Sequence, residues 1–439
     1  MLLTFPELSL VLLVGPSGCG KSTFARRHFR PTEIVSSDHY RGVVCDDEAN
    51  QEASKDAFDL LHQVVARRLE WMRFTVVDAT NLLPESRRPL LELAKRYHYL
   101  TGAILFDLPE EVCQQQNLLR QGRTVPSWVI NNHVRLLQSA LPALEREVHR
   151  YYVLHSLEQI ANVQVRRVPL WVDRREETGP FDIIGDVHGC LDELLSLLAV
   201  LDYHIGYQTA WQGIPEPVII PPPGRKLVFV GDLGDRGPDT PGVYRLVMRL
   251  VASNQALCVL GNHDSKLLRR LRGNLIRPSH GLQQTLEQLE REPPALTSQI
   301  RDFLDHRPNH YVLDGGRLVV AHAGLPEDLQ GRSSSKVHSF ALFGDTTGKL
   351  DEDGLPVRLN WAADYKGRAL VVYGHTPQAE PQWLNNTINI DTGCVFGHRL
   401  TALRYPEREL VSVPALRTYA KPARDFLQPS SSEAIVEEE

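Results

Sequence analysis

The chain has 439 residues, of which 42% are hydrophobic and 23% are charged. This length predicts two or three domains, and the composition excludes a chain that is disordered over most of its length. The formal net charge of −6 at pH 7 excludes a generally basic surface, so any contact with nucleic acid has to be local.

The sequence also limits where the protein works. No run of 18 apolar residues is present, which argues against a transmembrane helix. The apolar N-terminal stretch lacks a basic start and runs into a glycine loop, so it is interpreted as a strand and not as a signal peptide. The six cysteines form no C-x-x-C pair, which favours reduced thiols over a disulfide framework. We therefore expect a cytoplasmic protein with no membrane partner.

Strands and helices alternate through the first part of the chain. The predicted elements are strands at 10–14, 75–77 and 102–106 and helices at 52–74 and 85–98. This alternation indicates an α/β domain with a parallel sheet covered by helices on both faces. We expect this domain to span residues 1–172.

A second alternation follows a charged segment at 173–180, which is interpreted as a linker. The strand candidates are 182–185, 226–230, 256–260, 317–321, 369–373 and 387–390, and all but the last end at a polar or histidine-containing motif. A helix is predicted over 283–304. We expect the second domain to span 181–426 and the tail 427–439, rich in serine and glutamate, to be an acidic disordered end.

The first domain opens on the segment GPSGCGKST, which matches the pattern G-x-x-x-x-G-K-[ST] between a strand and a helix. In such a loop the backbone N–H groups surround phosphate oxygens, the lysine reaches the β and γ phosphates, and the serine holds Mg²⁺. The positive end of the following helix adds to the attraction. We predict that ATP or another nucleoside triphosphate, with Mg²⁺, is bound by Gly15, Pro16, Ser17, Gly18, Cys19, Gly20, Lys21, Ser22 and Thr23.

The phosphoryl acceptor is expected beside the segment SSDHYR. Asp38 can accept the proton of an attacking hydroxyl group, and Arg41 can hold an acceptor phosphate. The alternative is an exposed charge pair on a loop. Asp78 and Asn81 follow the strand at 75–77 and are weaker candidates for the magnesium shell or the acceptor site.

Two further arginines lie on a segment that is interrupted by Gly122 and followed by Pro126. Arg120 and Arg123 are placed as expected for a mobile lid that carries positive charge to the transferring phosphate. The alternative is a solvated end of a helix.

The second domain carries five motifs at strand ends: GDVHG, GDLGDRG, GNHD, AHAG and GHT. A lone histidine is ordinarily a core residue, but a series of such groups beside glycines predicts a centre with two divalent ions about 3.5–4 Å apart. Nitrogen and oxygen ligands favour Mn²⁺, with Ni²⁺ or Fe²⁺ as alternatives. The predicted ligands, with Asp232 as the bridge, are Asp186, His188, Asp232, Asn262, His322 and His375.

Three neighbouring side chains are predicted to take part in the chemistry of this centre. His263 is free to protonate a leaving alkoxide, and Asp264 is the candidate that orients it. Arg236 can hold the non-bridging oxygens of a phosphate.

The order of these motifs over roughly residues 180–410 resembles the calcineurin-like binuclear metallophosphoesterases, which fold as a β-sandwich flanked by helices. Within them it looks like the branch of protein serine/threonine and bis(nucleosyl)-tetraphosphate phosphatases. Through GPSGCGKST, SSDHYR, VDATN and QNLLRQGRTVPSWVI, the first domain resembles the polynucleotide kinase group of P-loop phosphotransferases. The two domains in this order resemble the bacterial polynucleotide kinase-phosphatase family.

This resemblance implies a bifunctional enzyme that heals the ends of RNA, or of DNA. One activity is ATP-dependent phosphorylation of 5′-hydroxyl ends, and the other is metal-dependent removal of a 2′-phosphate, 3′-phosphate or 2′,3′-cyclic phosphate. The family assigns the kinase to Lys21, Ser22, Asp38, Arg41, Arg120 and Arg123. It assigns the phosphatase to Asp186, His188, Asp232, Arg236, Asn262, His263, His322 and His375.

Two departures from the family matter. Gln116 stands where the lid of the family has arginine, which could weaken the kinase. The sequence contains no nucleotidyl-lysine motif such as K-x-D-G, so sealing would need a separate ligase. The family also raises the expectation of a homodimer, although no segment identifies an interface.

Two alternatives stay open. The first is a signalling enzyme in which a small-molecule kinase is fused to a protein serine/threonine or bis(nucleosyl)-tetraphosphate phosphatase, and the acidic net charge favours it. The second is an ATP-gated binding module with a vestigial metal site. The intact set of ligand positions argues against this second alternative.

Overall fold

The computed structural model describes residues 1–120, 124–209, 215–351 and 356–423. The chain forms two compact units: unit 1 contains residues 1–170 with 332–334, and unit 2 contains 171–331 together with the chain from residue 335 onward. The predicted tail 427–439 lies outside the described residues. In the part of the chain that is described, no helix combines the length and the apolar character that crossing a bilayer requires.

Unit 1 is an α/β unit. Its strands are β1 (Leu2–Pro6), β2 (Ser9–Val14), β3 (Ile34–Ser36), β4 (Thr75–Asp78), β5 (Leu100–Phe106), β6 (Arg150–Leu154) and β7 (Gln164–Val168). Its helices are α1 (Lys21–His28), α2 (Ser37–Cys45), α3 (Ser54–Glu70), α4 (Pro84–Arg96), α5 (Glu110–Leu118), α6 (Ser127–Glu147) and α7 (Leu157–Asn162).

The main sheet of unit 1 has the strand order β3-β4-β2-β5-β6, and every neighbouring pair in it is parallel. The central strand β2 is buried at all six positions, as expected for a parallel strand covered on both faces. Helix α3 buries Ala57, Leu61, Val65 and Leu69, which share one face because they are four residues apart. The carboxyl ends of β2, β3 and β4 therefore lie at one edge of the sheet.

Unit 2 is richer in strands. They are β8 (Asp173–Arg174), β9 (Phe181–Ile184), β10 (His204–Thr209), β11 (Pro215–Ile220), β12 (Lys226–Phe229), β13 (Ala256–Cys258), β14 (His310–Leu313), β15 (Leu318–Ala321), β16 (Thr346–Leu350), β17 (Pro356–Arg358), β18 (Leu370–Tyr373), β19 (Gln382–Leu384), β20 (Thr387–Asn389), β21 (Arg399–Tyr405) and β22 (Glu409–Pro414). The helices are α8 (Leu191–Val200), α9 (Thr240–Ala252), α10 (Asn262–Leu271), α11 (Leu282–Glu290), α12 (Pro294–Asp305) and α13 (Ser335–Phe343).

Two sheets of unit 2 pack face to face. Their strand orders are β13-β12-β9-β21-β22 and β19-β20-β18-β15-β14-β8. One apolar cluster joins them, since it contains Ile183 and Val228 of the first sheet and Val320 and Val372 of the second. Helices cover the outer faces: α8 and α9 pack on the first sheet, and α13 packs on the second. The α/β fold class predicted from the sequence, with a parallel-sheet unit followed by a sandwich flanked by helices, is confirmed.

Two boundaries differ from the sequence-based expectation. The segment predicted as a linker begins with β8, which pairs with β14 and belongs to unit 2. The single helix expected over 283–304 is two helices, α11 and α12. Pro293 lies between them and Pro294 is the first residue of α12, because proline lacks the N–H group that would continue a helix and restricts the residue before it.

Candidate active sites

The phosphate loop of unit 1 connects β2 to α1. Its Gly18 takes a φ of +84°, and a Cβ at this position would lie 2.4 Å from the Cys113 carbonyl oxygen, so only glycine fits. The Lys21 ammonium donates hydrogen bonds to the carbonyl oxygens of Gly15 and Pro16, each at 2.7 Å. The lysine therefore closes the loop on itself, at the start of a helix whose first turn carries no acidic residue.

A carboxylate lies beside the loop. Asp78 ends β4 and hydrogen-bonds the side chain of Ser22, while burial raises the pKa of its carboxyl group. A hydroxyl and a carboxylate in contact at a phosphate loop fit the oxygen ligands that Mg²⁺ requires. Asp78 thus lies where a magnesium shell would need it.

The acceptor candidates lie on α2. The Ser36 side chain caps this helix, which places Asp38 in the first turn. Asp38 forms an ion pair with Arg41, whose guanidinium also donates to the Glu48 carbonyl oxygen at 2.9 Å. Arg41 is only 4% exposed while the Asp38 side chain is 32% exposed, so the pair is half-buried and not the fully exposed pair considered as the alternative.

These groups share one cavity of about 1500 Å³, which contains most of the predicted kinase residues. Among its lining residues are Ser17, Gly18, Cys19, Gly20, Lys21, Ser22, Thr23, Asp38, Arg41, Asp78, Gln116 and Arg120. Arg123 lies outside the described residues. The cavity is large enough for a nucleotide and part of an acceptor.

Asn81 does not line this cavity. It is 1% exposed and its amide donates to the Leu13 carbonyl oxygen at 2.8 Å. The structure therefore places it beneath the phosphate loop, where it connects the ends of β2 and β4. This position corrects the substrate-binding role expected from the sequence.

Helix α6 adds two residues that the sequence analysis missed. The Ser17 N–H donates to His133 Nδ1 at 3.4 Å, and burial, with the nearby Lys21 charge, lowers the pKa of His133. Trp128 lines the same cavity and is 73% exposed. Nothing in the local pattern connects His133 with a loop more than a hundred residues away, whereas Trp128 lies within the motif QNLLRQGRTVPSWVI.

In unit 2, five strands deliver the predicted metal ligands. Strands β9, β12 and β13 are mutually parallel, so their carboxyl ends meet at one edge of the first sheet. The second sheet supplies His322 after β15 and His375 after β18. His188, Asp232 and His375 have positive φ angles of 47°, 48° and 75°, a backbone strain that is typical of functional sites.

The six predicted ligands form one connected group. Asp232 Oδ2 lies 3.6 Å from His188 Nε2 and 3.4 Å from His322 Nε2. The Asn262 side-chain oxygen lies 2.8 Å from His322 Nε2 and 2.8 Å from His375 Nδ1. The sixth ligand, Asp186, accepts the backbone N–H of His375 at 3.1 Å.

This group fits two ions. Two triads of ligand atoms, one of His188, Asp232 and His263 and one of Asp232, His322 and His375, each lie within 4.8 Å and share Asp232. Buried atoms of Asp186 (Oδ1) and His375 (Nε2) have no hydrogen-bond partner in the structure, so they have lone pairs available for a cation. The shared carboxylate is where a bridge between the ions was predicted.

Burial sets the charge states of the ligands. It raises the pKa of Asp186 and Asp232, and the like charges of Asp391 and Asp264 add to this effect. It lowers the pKa of His322 to about 3, and so keeps the imidazole in the neutral form that binds metals. Divalent cations would compensate the carboxylate charge that burial disfavours.

Backbone carbonyl groups orient two of the imidazoles. His188 Nδ1 donates to the Gly234 oxygen at 2.8 Å, and His322 Nδ1 donates to the Val230 oxygen at 3.1 Å. Each ring therefore presents Nε2 to the centre, which is the usual arrangement for a metal-binding histidine.

The partner of His263 differs from the sequence-based assignment. His263 Nδ1 lies 2.6 Å from Asp235 Oδ2, which is an ion-pair geometry. Asp264 instead accepts the Tyr244 hydroxyl at 2.7 Å and the N–H groups of Leu233 and Gly261. The orienting role given to Asp264 is therefore wrong, because at the third position of α10 its side chain turns back to cap the helix.

Three arginine and aspartate side chains complete the surroundings. Arg236 donates to His188 Nε2 at 2.8 Å and lies over the Phe396 ring. Burial lowers the pKa of His322 and His375, and the charge of Arg358 adds to this effect. Asp391 follows β20, and burial raises its pKa to about 6. Sequence reasoning missed Arg358 and Asp391, although NIDTG repeats the pattern of strand, aspartate and glycine.

Known proteins match both units. A family described as AAA domain matches residues 10–144, and a family described as calcineurin-like phosphoesterase matches residues 179–406. The bis(5′-nucleosyl)-tetraphosphatase PrpE (asymmetrical) of Anoxybacillus flavithermus is 49% identical over 243 residues, which cover 54% of this chain and 96% of that protein. The protein of the same description from Bacillus subtilis is 45% identical over 243 residues, with the same two shares.

A solved serine/threonine phosphatase from Saccharomyces cerevisiae covers 56% of this chain and 84% of its own, at 14% identity and a TM-score of 0.38. The phosphoesterase match is the broader finding, since it spans more than half of the sequence and contains all six predicted ligands of the two-ion centre. An AAA, kinase-like domain precedes this match. The chain is therefore an enzyme of the calcineurin-like phosphoesterase family.

Proposed function

We propose that the chain heals the ends of broken RNA in the cytoplasm. Unit 1 transfers the γ-phosphate of ATP to a 5′-hydroxyl end, and unit 2 removes a 2′-phosphate, 3′-phosphate or 2′,3′-cyclic phosphate. The observation that carries this proposal is the cavity of unit 1, where Asp38, paired with the buried Arg41, lies with the phosphate loop. A nucleotidase or a simple ATPase has no need of a carboxylate–arginine pair for an acceptor.

In unit 1 the transfer depends on position and charge. Asp38 accepts the proton of the 5′-hydroxyl group, and Arg41 holds the acceptor phosphate. Lys21 leaves the carbonyl oxygens of the loop to contact the β and γ phosphates, and Arg120 neutralises charge on the transferring group. Ser22 and Asp78 would hold Mg²⁺, which supplies positive charge to the phosphates.

In unit 2 the ligands around Asp232 would hold two divalent ions, with Mn²⁺ proposed. Such ions supply positive charge to a phosphate and lower the pKa of water. Arg236 donates to the non-bridging oxygens of the phosphate. His263, oriented by Asp235, protonates the leaving alkoxide.

A second candidate concerns the substrate of unit 2. Relatives that are 45–49% identical are named as asymmetrical bis(5′-nucleosyl)-tetraphosphatases. Unit 2 would then cleave a phosphoanhydride of a dinucleoside tetraphosphate, and unit 1 would phosphorylate a small molecule. A protein substrate, as in a signalling phosphatase, belongs to the same alternative.

One set of assays separates the candidates. The full chain with Mn²⁺ is given RNA with a 3′-phosphate, RNA with a 2′,3′-cyclic phosphate, diadenosine tetraphosphate and a phosphopeptide, and the four kcat/KM values are compared. Labelled ATP with 5′-hydroxyl RNA or DNA tests unit 1. The healing role requires both 5′ labelling and a preference for RNA ends.

The control is a variant of the metal centre. His188→Ala is expected to abolish the activity of unit 2 on every substrate and to leave 5′ labelling intact, because the partners of His188 are the metal-centre residues Asp232 and Arg236 and the backbone of Gly234, all in unit 2. Cleavage of diadenosine tetraphosphate above all other substrates, with no labelling of an oligonucleotide, would replace the healing role by the second candidate. Joining of the healed ends is proposed to need a separate ligase.

A further inference from the structure

Unit 1 carries a second cavity, a groove of about 910 Å³. It shares no lining residue with the cavity of about 1500 Å³ at the phosphate loop, here called the ATP cavity. Four arginines and two aromatic residues line it: Arg67, Arg68, Arg73, Arg96, Trp71 and Tyr97. Of the described residues that line it, none is acidic. The chain as a whole is acidic, whereas the lining of this groove is positively charged. We call it the arginine groove.

Most of these side chains are available to a ligand. Trp71 is 73% exposed, and the Arg67 side chain is 78% exposed. Arg67 pairs with Glu70 at 2.8 Å, but an exposed ion pair of this kind is weak and exchanges readily. Arg96 lies 5.7 Å from the centre of the Tyr97 ring, which keeps a cation beside an aromatic face.

Arg68 has a different role, since it forms part of the wall of the groove. Its guanidinium donates to the Phe74 carbonyl oxygen at 2.7 Å and to the Thr75 hydroxyl at 3.1 Å. These bonds fix the end of α3 to the start of β4. The arginines that can respond to a ligand are therefore Arg67, Arg73 and Arg96.

We propose that the arginine groove binds single-stranded nucleic acid, with Trp71 stacking on a base and Arg73 and Arg96 contacting phosphates. An exposed indole among cations, with no acidic neighbour in the lining, fits the combination of stacking and phosphate contact that such ligands use. An acidic peptide would use the arginines but would leave the exposed Trp71 ring without a function.

This inference rests on the proposed kinase function of unit 1, because α3 connects the two cavities. Phe58 lines the ATP cavity and Arg67 lines the groove, about 14 Å further along the helix at ~1.5 Å per residue. At roughly 3.4 Å per stacked nucleotide, about four nucleotides are needed to span this length of α3. A dinucleotide is too short.

The test compares 5′ phosphorylation of a 20-nucleotide RNA with that of a dinucleotide by the full chain. The measured quantity is kcat/KM for the 20-nucleotide RNA divided by kcat/KM for the dinucleotide. We expect this ratio to fall by roughly tenfold in Trp71→Ala and in the double variant Arg73→Ala/Arg96→Ala. The double variant should also flatten the dependence of RNA affinity on salt. Arg88→Ala is the matched control, since Arg88 is exposed on α4 but lines neither cavity.

Fluorescence anisotropy with labelled 20-nucleotide RNA, measured without ATP, separates the two proposals. If the wild type fails to phosphorylate RNA but Trp71→Ala still weakens RNA binding, the kinase assignment fails and the groove stands. If RNA is phosphorylated and both the ratio and the affinity are unchanged in the variants, the groove assignment is overturned. Equal binding of a polyglutamate peptide that is insensitive to Trp71→Ala would also overturn it, in favour of a protein ligand.

Discussion

The two candidate sites use the chain in opposite ways. The phosphate loop presents backbone N–H groups, so its tight positions are taken by glycine, such as Gly18. The metal centre presents side chains, so the strained positions are taken by ligands themselves, such as His188 and Asp232. A site built from backbone needs a residue without a Cβ, whereas a site built from side chains needs a fold that imposes strain on ordinary residues.

The sites also differ in how far they are assembled before a ligand arrives. In unit 2, Asp186, His188, Asp232 and His322 are buried, and His188 and His322 lie 3.6 Å and 3.4 Å from Asp232. In unit 1, Lys21 is bonded to its own loop and has to change partners when a nucleotide binds. The comparison predicts that substitution of a metal ligand in unit 2 disrupts the whole metal centre. Substitution of a phosphate-loop residue in unit 1 should remove only the contacts of that residue.

The largest effect is expected from Asp232→Asn, because this carboxylate is common to both triads of the metal centre. Phosphatase activity with Mn²⁺ should fall by at least roughly 1000-fold, and the bound metal should fall with it. The kinase should keep its rate to within about twofold. Asp192→Asn, at an exposed aspartate of α8, serves as the control. Full metal content and activity in Asp232→Asn would show that the centre lies elsewhere.

Lys21→Ala tests the other side of the comparison. The loss of one cation from the phosphate loop should lower kinase kcat/KM by roughly 100- to 1000-fold, measured as transfer from labelled ATP to a 5′-hydroxyl RNA. Phosphatase activity should not change, and Lys95→Ala should behave as the wild type. A parallel loss in both activities would mean that the two sites are not independent.

A smaller effect separates the two carboxylates near His263. Asp235→Asn should lower phosphatase kcat roughly 100-fold on an alkyl phosphate and much less on p-nitrophenyl phosphate, whose leaving group needs no proton. Asp264→Asn should lower the melting temperature, because it disturbs bonds to Tyr244 and Gly261, without changing that dependence on the leaving group. The reverse result would restore the role first expected for Asp264.

The smallest effect concerns the pH dependence of the free energy of unfolding, through His310, which is not a ligand of the metal centre. Burial lowers the pKa of His310 to about 3, and its Nε2 accepts the Gly331 N–H at 3.0 Å. Since the folded pKa is below the ordinary 6.5, this histidine contributes stability above pH 6.5 that is lost as the pH falls toward 3. Between pH 6.5 and 5 the free energy of unfolding of His310→Gln should fall by roughly 1.5 kcal/mol less than that of the wild type, measured by urea unfolding with saturating Mn²⁺. If the free energy of unfolding depends on pH equally in the variant and the wild type, this role of His310 is contradicted.

The sequence predicted those parts of the sites that depend on strand ends. The phosphate loop and the six metal ligands lie within a few residues of strand ends, and parallel strands bring their carboxyl ends to one edge. It did not predict His133, which reaches the loop only because α6 packs against it. It also chose Asp264 over Asp235, because adjacency in sequence does not show which way a side chain turns at the start of a helix.

Cysteine inside a phosphate loop would ordinarily expose a kinase to alkylating reagents and peroxide. Cys19 is fully buried, and burial raises the pKa of its thiol, so little of the reactive thiolate forms at neutral pH. Treatment with iodoacetamide should therefore spare phosphoryl transfer, while Cys45, the half-buried thiol of the same unit, takes up the label first. The kinase would stay active under the oxidative conditions that break nucleic acid strands.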